Sequence, residues 1–489
     1  MWIAKGYSPS SPTERNPGAA TTMHSATFRT AVAVLLPALL LFLLLLRPAF
    51  DTDIFWQLKL GELILAARLP IATEPFAATH LGEPLAAVAW LGQAIMAAVR
   101  LAWGWTGLRV FDALLWLGGF LAAGSAAWRR GADPLAVAMA LALGFALALP
   151  AASIRPQSFA GLGFGLLLLL LHSPGSLPLK TLLGAMLLVA WQNLHPSVSL
   201  AAAVLAATAA SGWIGARLRW WSFDACLPAL LAVIAAAAMF ATPDGASILA
   251  TSRHNAAASI ANGASEWFPV WALANRSFLS GFAGVALVAC LVIWRGRTRI
   301  APLDFIPAMI LLVLSVGAVR FVFFLGIALV VPLALALMPG RVRRGPSLRV
   351  ALLTFAALAC AVALSVATRP TRFAESIPRQ CLTALKTAGV QGTIYAHSAW
   401  GGPVIDAGYP AWRVAFDGRY YRYTPEEWAR YHAAASGEVR LDWLDRAYHP
   451  AAYLLQPDRD AGLIALVRQS PATWRELGPL PGCAAFVRR

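Results

Sequence analysis

The sequence predicts a polytopic α-helical membrane protein with a small C-terminal α/β domain. Of the 489 residues, 59% are hydrophobic and only 13% are charged, whereas soluble domains carry about 25% charged residues. The apolar residues form long blocks, such as residues 31–46 and 161–171, and these approach the roughly 20 residues that cross a bilayer. From about residue 370 the sequence becomes more polar, and strand patterns alternate with helix patterns there.

Eleven apolar runs are predicted to be transmembrane helices. They lie at residues 30–49, 107–127, 134–150, 157–172, 179–192, 197–215, 224–242, 277–294, 302–318, 321–339 and 350–368. The first run is predicted to be an uncut anchor, because no small-x-small cleavage site follows it. The predicted domains are therefore a disordered cytoplasmic tail at 1–29, a transmembrane domain at 30–369 and a soluble domain at 370–489.

A further apolar stretch, residues 85–103, decides the topology. If it does not span, fifteen Lys and Arg residues fall in the loops on the same side as the N-terminus. If it spans, all but three of them move to the other side, against the positive-inside rule. We therefore predict an amphipathic helix in the outer interface, within an outer loop at 50–106, with Trp90 and Trp103 as anchors. The N-terminus is then cytoplasmic and the C-terminal domain lies outside the cytoplasm.

The net charge of +16 is explained by these basic cytoplasmic loops. The sequence has no basic stripe with interleaved aromatic residues, so nucleic-acid binding is not predicted. Membrane lipids are the expected surroundings of the chain.

Unusual polar residues occur at the ends of several predicted spans, and the predicted topology puts them all on the outer side. They are Asp51, Asp53, Arg155, Asn193, His195, Glu266 and Arg320. Charged groups at membrane depth are costly and normally face a cavity or one another. The shared side therefore predicts one outward-facing site. Each residue also has a simpler explanation. The acids could be solvated loop residues, the arginines could reach lipid phosphates, and the histidine could have its hydrogen bonds satisfied at the end of a helix.

A site of this composition suits glycosyl transfer from a polyprenyl-phosphate sugar. A carboxylate would take the proton of the acceptor hydroxyl as a general base, and arginines would bind the departing lipid phosphate. In an alternative arrangement, Asp51, Asp53 and Glu266 hold a divalent cation such as Mg²⁺ or Mn²⁺ through oxygen ligands.

Residues 51–93 resemble the first outer loop of bacterial GT-C transferases, a group that includes protein O-mannosyltransferases and lipid A aminoarabinose transferases. The resemblance lies in an acid, an aromatic residue, a helix, a turn with an aromatic tip and an amphipathic helix, here Asp53, Trp56, Phe76 and Trp90. The chain is also similar to a branch of bacterial membrane proteins that has this loop and a C-terminal periplasmic domain. The matching segments are RPQSF (155–159), NLH (193–195), EWFP (266–269), RFVFF (320–324) and residues 400–423.

The resemblance implies a transferase of the bacterial inner membrane, with Asp53 as the leading catalytic carboxylate and Asp51 second. It also implies a lipid-linked sugar donor, a glycan, lipid or protein acceptor of the cell envelope, and two interfacial helices in the outer loop. One residue departs from the branch, which commonly has His where this chain has Gln57. A non-catalytic scaffold that kept the fold is therefore an alternative. A transporter is a weaker one, because transporters place polar residues near the midplane, often in internal repeats.

The soluble domain is predicted to contain strands at 392–397, 412–417, 451–456 and 483–489. Helices are predicted at 424–434, where Thr424 is the expected N-cap, and at 459–469. The segment Asp417-Gly418-Arg419 follows a strand and is predicted to contact a sugar or an anionic acceptor, the alternative being a simple turn. An oxidising compartment would permit a disulfide between Cys381 and Cys483, but the sequence does not show that they approach each other.

Overall fold

The computed structural model describes residues 17–338 and 348–489. The helices of the membrane domain are α1 (Pro17–Leu46), α2 (Asp53–Ala67), α3 (Trp90–Arg129), α4 (Pro134–Ala148), α5 (Gln157–His172), α6 (Leu177–Leu194), α7 (Val198–Arg217), α8 (Cys226–Ala238), α9 (Ser247–Ala261), α10 (Arg276–Gly296), α11 (Pro302–Gly317), α12 (Val322–Ala336) and α13 (Leu348–Thr368). Residues 1–16 of the predicted tail lie outside the described residues. Residues 17–29, which were also assigned to the disordered tail, are instead the first turns of α1.

Each predicted span coincides with an apolar helix. Eight helical segments of the described chain are long and apolar enough to cross a membrane, and α5, α8 and α11 are shorter apolar helices beside them. The helices share one core, in which the rings of Trp116, Phe120, Phe145 and Phe323 pack against one another. The predicted class, a helical membrane domain with a small soluble domain, is confirmed.

Helix α3 consists of two segments that meet at Gly104. This residue has φ +62° and ψ −165°, a conformation that glycine adopts far more readily than other residues. At one end of the first segment, Trp90 Nε1 donates to Asn193 Oδ1 (2.7 Å) at the end of α6. Near its other end, Arg100 donates to Asp406 of the soluble domain (2.6 Å). Both ends therefore lie at the same face of the helix bundle, as expected for a helix that does not span.

Helix α9 was not predicted. It lies between the spans formed by α8 and α10, and polar residues such as Arg253 and Asn255 interrupt its apolar pattern. The helix lies beside the loop Tyr420–Arg422 of the soluble domain, so it covers part of the space between the two domains.

The soluble domain is an α/β domain with a five-stranded sheet in the order β2-β1-β3-β5-β4. Its elements are α14 (Arg379–Thr387), β1 (Gly392–Ala396), α15 (Gly401–Gly408), β2 (Trp412–Val414), α16 (Pro425–Ala435), α17 (Leu441–Tyr448), β3 (Pro450–Leu455), α18 (Ala461–Arg468), β4 (Trp474–Glu476) and β5 (Ala484–Arg488). Strand β1 pairs in parallel with β2 and β3, and β5 pairs antiparallel with β3 and β4. The predicted strands are present, and Thr424 caps α16 through the amide of Glu427.

Cys381 and Cys483 form a disulfide across 102 residues of sequence. The bond joins α14 to the segment before β5, and both cysteines are buried. The pairing that the sequence left open is therefore made in the fold.

The soluble domain packs directly on the outer loop. Phe76 of the loop accepts a backbone hydrogen bond from Val414 (3.0 Å) beside β2. A shared apolar cluster contains Trp56 and Phe76 from the loop and Trp400 and Val414 from the domain. The two domains therefore enclose the space between them.

Candidate functional site

A cavity of about 480 Å³ lies between the membrane domain and the soluble domain, within the size range of ligand pockets. Three parts of the chain form its walls: the α2–α3 pair, the bundle ends that face the soluble domain together with α9, and the soluble domain itself. Among the predicted site residues, those that line it are Asp53, Trp56, Arg155, His195, Glu266, Arg320 and Arg419.

The acidic side of the cavity is organised by Arg155. Its Nη2 donates to Asp51 Oδ1 and to Asp53 Oδ2, both at 3.0 Å, and its Nη1 lies 3.7 Å from Glu266 Oε2. Asp51 accepts the Asp53 amide at 2.9 Å and so caps the first turn of α2, while Asp53 stands at the cavity surface with 27% of its side chain exposed. Asp51 supports Asp53 and is not itself part of the cavity wall.

The surroundings of Asp53 favour its protonated form. Burial raises the pKa of Asp53 and Asp51 adds to the shift, while Arg155 opposes it, and the resulting pKa is about 7. Burial lowers the pKa of Arg155, but its attraction to Asp51 and Asp53 outweighs that effect and raises it. Asp53 therefore changes charge near neutral pH, the range in which a general base works best.

The cationic side of the cavity is formed by Arg320. Its guanidinium lies 3.7 Å from the ring centroid of Trp267. Within the described residues it makes no ion pair, and its buried Nη1 has no hydrogen-bond partner. Arg320 is thus a donor available to an anion, in contrast with Arg155.

His195 lines the cavity but stays neutral. Burial, together with the charges of Arg320 and Arg155, lowers the pKa of His195 to about 3, and its Nδ1 lies 2.9 Å from Ser197 Oγ. Asn193, predicted to bind substrate, is absent from the cavity wall. Its amide instead bonds Trp90 and the Ala241 carbonyl, so it fixes helix ends.

Asp417 and Arg419, which were predicted to contact a ligand, lie in a buried ion-pair network, and of the two only Arg419 lines the cavity. Both are buried, at 0% and 1% exposed. Arg419 donates to Glu74 at 2.7 and 2.9 Å and to Asp417 at 2.6 Å. Glu74 also accepts the amides of Phe76 and Ala77. Glu74 belongs to the outer loop and Asp417 to the soluble domain, so Arg419 joins the two through hydrogen bonds to both; we call this contact the clamp. Part of Arg419 also reaches the cavity wall.

This clamp brings the soluble domain against Asp53. A Cβ at Gly418 would collide with Asp53 Oδ1, so a larger residue at this position would push the Asp53 carboxylate aside. Tyr420 and Tyr421 follow and line the cavity. The soluble domain is therefore one wall of the site.

Three solved structures share this architecture. The mycobacterial arabinofuranosyltransferase AftD matches 94% of this chain and 40% of its own length, with 17% identity and a TM-score of 0.53. The Archaeoglobus fulgidus oligosaccharyltransferase tethered with an acceptor peptide matches 94% of this chain and 74% of its own length, with 12% identity and a TM-score of 0.57. ArnT from Cupriavidus metallidurans bound to undecaprenyl phosphate matches 97% and 98%, with 11% identity and a TM-score of 0.52.

The chain has the GT-C glycosyltransferase fold. The resemblance inferred from residues 51–93 is thus confirmed at the level of the fold, and the chain is a multi-pass membrane protein. It spans about two-fifths of AftD and nearly the whole of ArnT. No protein-family model and no curated protein sequence matches it.

The divalent cation considered for Asp51, Asp53 and Glu266 does not fit the arrangement of these carboxylates. The Arg155 guanidinium reaches all three carboxylates, and it occupies the position that a cation would need. In the described part of the chain, no group of three His, Cys, Asp or Glu residues is arranged to hold a metal ion.

Several residues in and beside the cavity were missed by the sequence argument, and three of them are important here. Gln93 and Trp267 line the cavity, and Glu74 holds the domain clamp. Trp267 adjoins the predicted Glu266 and could have been inferred from it. Gln93 lay inside the predicted interfacial helix, and Glu74 looked like an ordinary loop acid, so only their tertiary contacts distinguish them.

Proposed function

We propose that the chain transfers a sugar from a polyprenyl-phosphate donor to a hydroxyl of a glycan, lipid or protein acceptor of the cell envelope. The observation that carries the proposal is the charge arrangement in one cavity. Asp53, with a pKa of about 7, faces the same space as Arg320, whose Nη1 has no hydrogen-bond partner in the described part of the chain. The solved structures support it, because ArnT was determined with undecaprenyl phosphate and an archaeal oligosaccharyltransferase with dolichol phosphate.

In the proposed reaction, the acceptor oxygen attacks the anomeric carbon of the donor sugar. A bond forms between these atoms, the bond from the anomeric carbon to the phosphate oxygen breaks, and polyprenyl phosphate leaves with the electron pair. Asp53 takes the proton of the acceptor hydroxyl. Arg320 binds the phosphate, whose negative charge grows as the bond breaks. Arg155 orients Asp53 and keeps Asp51 and Glu266 from repelling it.

Replacing Arg320 with Gln is expected to weaken binding of undecaprenyl phosphate about tenfold or more, because a charged hydrogen bond contributes about 1.5–3 kcal/mol. The measurement is the dissociation constant of undecaprenyl phosphate for the protein in nanodiscs. The control is Arg276→Gln, since Arg276 is exposed at the start of α10 and absent from the cavity wall. Equal affinities for wild type and Arg320→Gln would contradict the phosphate role.

The transfer rate is expected to rise with pH up to about 7 and then level off. The pKa of Asp53 is raised to about 7, so below that pH most Asp53 is protonated and unable to accept a proton. The slope below pH 7 should approach tenfold per pH unit. The measurement is release of undecaprenyl phosphate from synthetic undecaprenyl-phosphate monosaccharides with a cell-envelope extract as acceptor. A flat profile from pH 5.5 to 8 would exclude Asp53 as the base.

We further propose that the cavity opens on the periplasmic side of a bacterial inner membrane, with the N-terminus in the cytoplasm. The distribution of basic residues and the disulfide between Cys381 and Cys483 support this orientation, since disulfides persist in oxidising compartments.

The orientation predicts which introduced cysteines react in whole cells. Leu81→Cys and Glu426→Cys should label with a membrane-impermeant thiol reagent, and Arg129→Cys should not. All three positions are exposed, and Cys226, Cys290 and Cys360 are first replaced with Ala. Labelling at residue 129 without labelling at residue 81 would show that the orientation is the reverse of the proposed one.

A further inference from the structure

We propose that Gln93 and Gln57 form a subsite that accepts hydrogen bonds from hydroxyl groups of the transferred sugar. The inference rests on the proposed function and extends it to sugar recognition. Both side chains line the cavity that holds Asp53 and Arg320.

Gln93 is built into the wall in a fixed orientation. Its residue is 2% exposed, and its Nε2 donates to the Val88 carbonyl at 3.0 Å. The amide therefore cannot flip without losing that bond, and Oε1 is left as the free end. That oxygen is buried, and no donor among the described residues reaches it. Gly61 of α2 packs against the Gln93 backbone carbonyl, where any Cβ would collide, so the helix pair holds Gln93 in place.

Gln57 presents a second oxygen of the same kind. It lies four residues after Asp53 on α2 and therefore on the same helix face, one turn along. Its Oε1 is buried and, within residues 17–338 and 348–489, has no hydrogen-bond donor. Gln57 therefore contributes a polar side chain to the cavity wall.

The buried cavity atoms that lack a partner among the described residues are of two kinds, one donor and two acceptors. Buried polar atoms in folded proteins almost always have partners, so unpaired ones on a cavity wall indicate groups supplied by a ligand or by water. Arg320 Nη1 is a donor and matches a phosphate. The two amide oxygens accept only, so they match hydroxyl groups and not a phosphate or a carboxylate. A glycosyl phosphate provides both kinds of group in one molecule.

The position of Asp53 indicates that the subsite holds the transferred sugar of the donor. In the proposed reaction the anomeric carbon lies between the phosphate and the acceptor oxygen that Asp53 deprotonates. The ring of the transferred sugar is then the part of the donor nearest to Asp53. Gln57, one turn from Asp53, is in place to contact its hydroxyl groups. Gln93 lies on the same α2–α3 wall, where its backbone packs against Gly61, one turn further along α2.

The test compares a lipid phosphate with and without an attached sugar; the sugar also turns the phosphate monoester into a diester, so each variant is compared with wild type on the same lipid. The probes are undecaprenyl phosphate and undecaprenyl phosphate carrying one neutral hexose or pentose, each titrated against the protein in nanodiscs. Gln93→Leu and Gln57→Leu are expected to weaken binding of the sugar-bearing lipids about tenfold and to leave undecaprenyl phosphate unchanged. Arg320→Gln is expected to weaken both.

The matched control is Gln192→Leu. Gln192 is also buried, at 5% exposed, and its Nε2 also donates to a backbone carbonyl, that of Met239, but it does not line the cavity. Gln192→Leu therefore measures how much the loss of a buried glutamine amide outside the cavity affects lipid binding. Gln57 is only half-buried, so its variant keeps the test available if Gln93→Leu fails to fold.

The outcomes separate the subsite from the proposed function. Unchanged affinity for the sugar-bearing lipids, or an equal loss for both kinds of lipid, would mean that the two amides only bind water or stabilise the fold. The subsite would then be rejected. If the wild-type protein binds neither lipid, the proposed function fails and the subsite fails with it.

Discussion

Asp53→Asn is expected to lower the rate of sugar transfer by about 10² to 10⁴-fold, the usual contribution of a general base. Asparagine keeps the size of the side chain and can still accept from Trp56 Nε1, which lies 3.3 Å from Asp53 Oδ1. What it loses is the ability to take a proton. The measurement is release of undecaprenyl phosphate in the presence of acceptor, with binding of the donor measured in parallel and expected to persist.

Glu266→Gln is the matched control for Asp53→Asn. Glu266 lines the same cavity and faces the same arginine at 3.7 Å, so both variants remove one negative charge beside Arg155. We expect less than a tenfold loss of rate from Glu266→Gln. Loss of equal size in both variants would show that the total charge matters and not the base. An Asp53→Asn protein that supports envelope assembly without transfer would favour the scaffold alternative.

Arg419→Met is expected to destabilise the soluble domain by about 3–5 kcal/mol, because it leaves the carboxylates of two buried residues without their cation. Glu74 and Asp417 both have 0% exposed side chains. For a domain of this size the melting temperature should fall by more than about 10 °C. The measurement is thermal unfolding of the full-length protein in detergent, followed by tryptophan fluorescence.

Arg440→Met removes the same type of pair at the surface. Arg440 and Asp442 are also two residues apart and bonded through two contacts at 2.9 Å, but their side chains are 84% and 45% exposed. Exposed ion pairs contribute little to stability, so its melting temperature should match that of wild type. Similar melting temperatures for Arg419→Met and Arg440→Met would be evidence against the clamp.

The clamp also connects stability to the site. Arg419 is the neighbour of Gly418, whose backbone approaches Asp53, so the position of this carboxylate depends on how the soluble domain is docked. A separately expressed membrane domain would lack one wall of the cavity, formed by residues 398–399 and 418–421. The soluble domain is therefore part of the site.

The sequence by itself determined the helical membrane class, the run of spans and the soluble α/β domain. These features depend on local patterns: blocks of apolar residues, their length, and the alternation of strands and helices. It also brought Asp53, Arg155, Glu266 and Arg320 to one side, because residues at the ends of successive spans must alternate between the two faces of a membrane.

Only the tertiary structure decided the roles within that set. It paired Arg155 with three carboxylates and gave Arg320 no ion pair within the described residues, a difference that depends on distances between spans far apart in sequence. It moved Asp417 out of the cavity and brought Gln93 into it. Pairings of this kind are set by packing between distant segments, such as Gly61 against Gln93 or Glu74 against Arg419, and no local pattern records them.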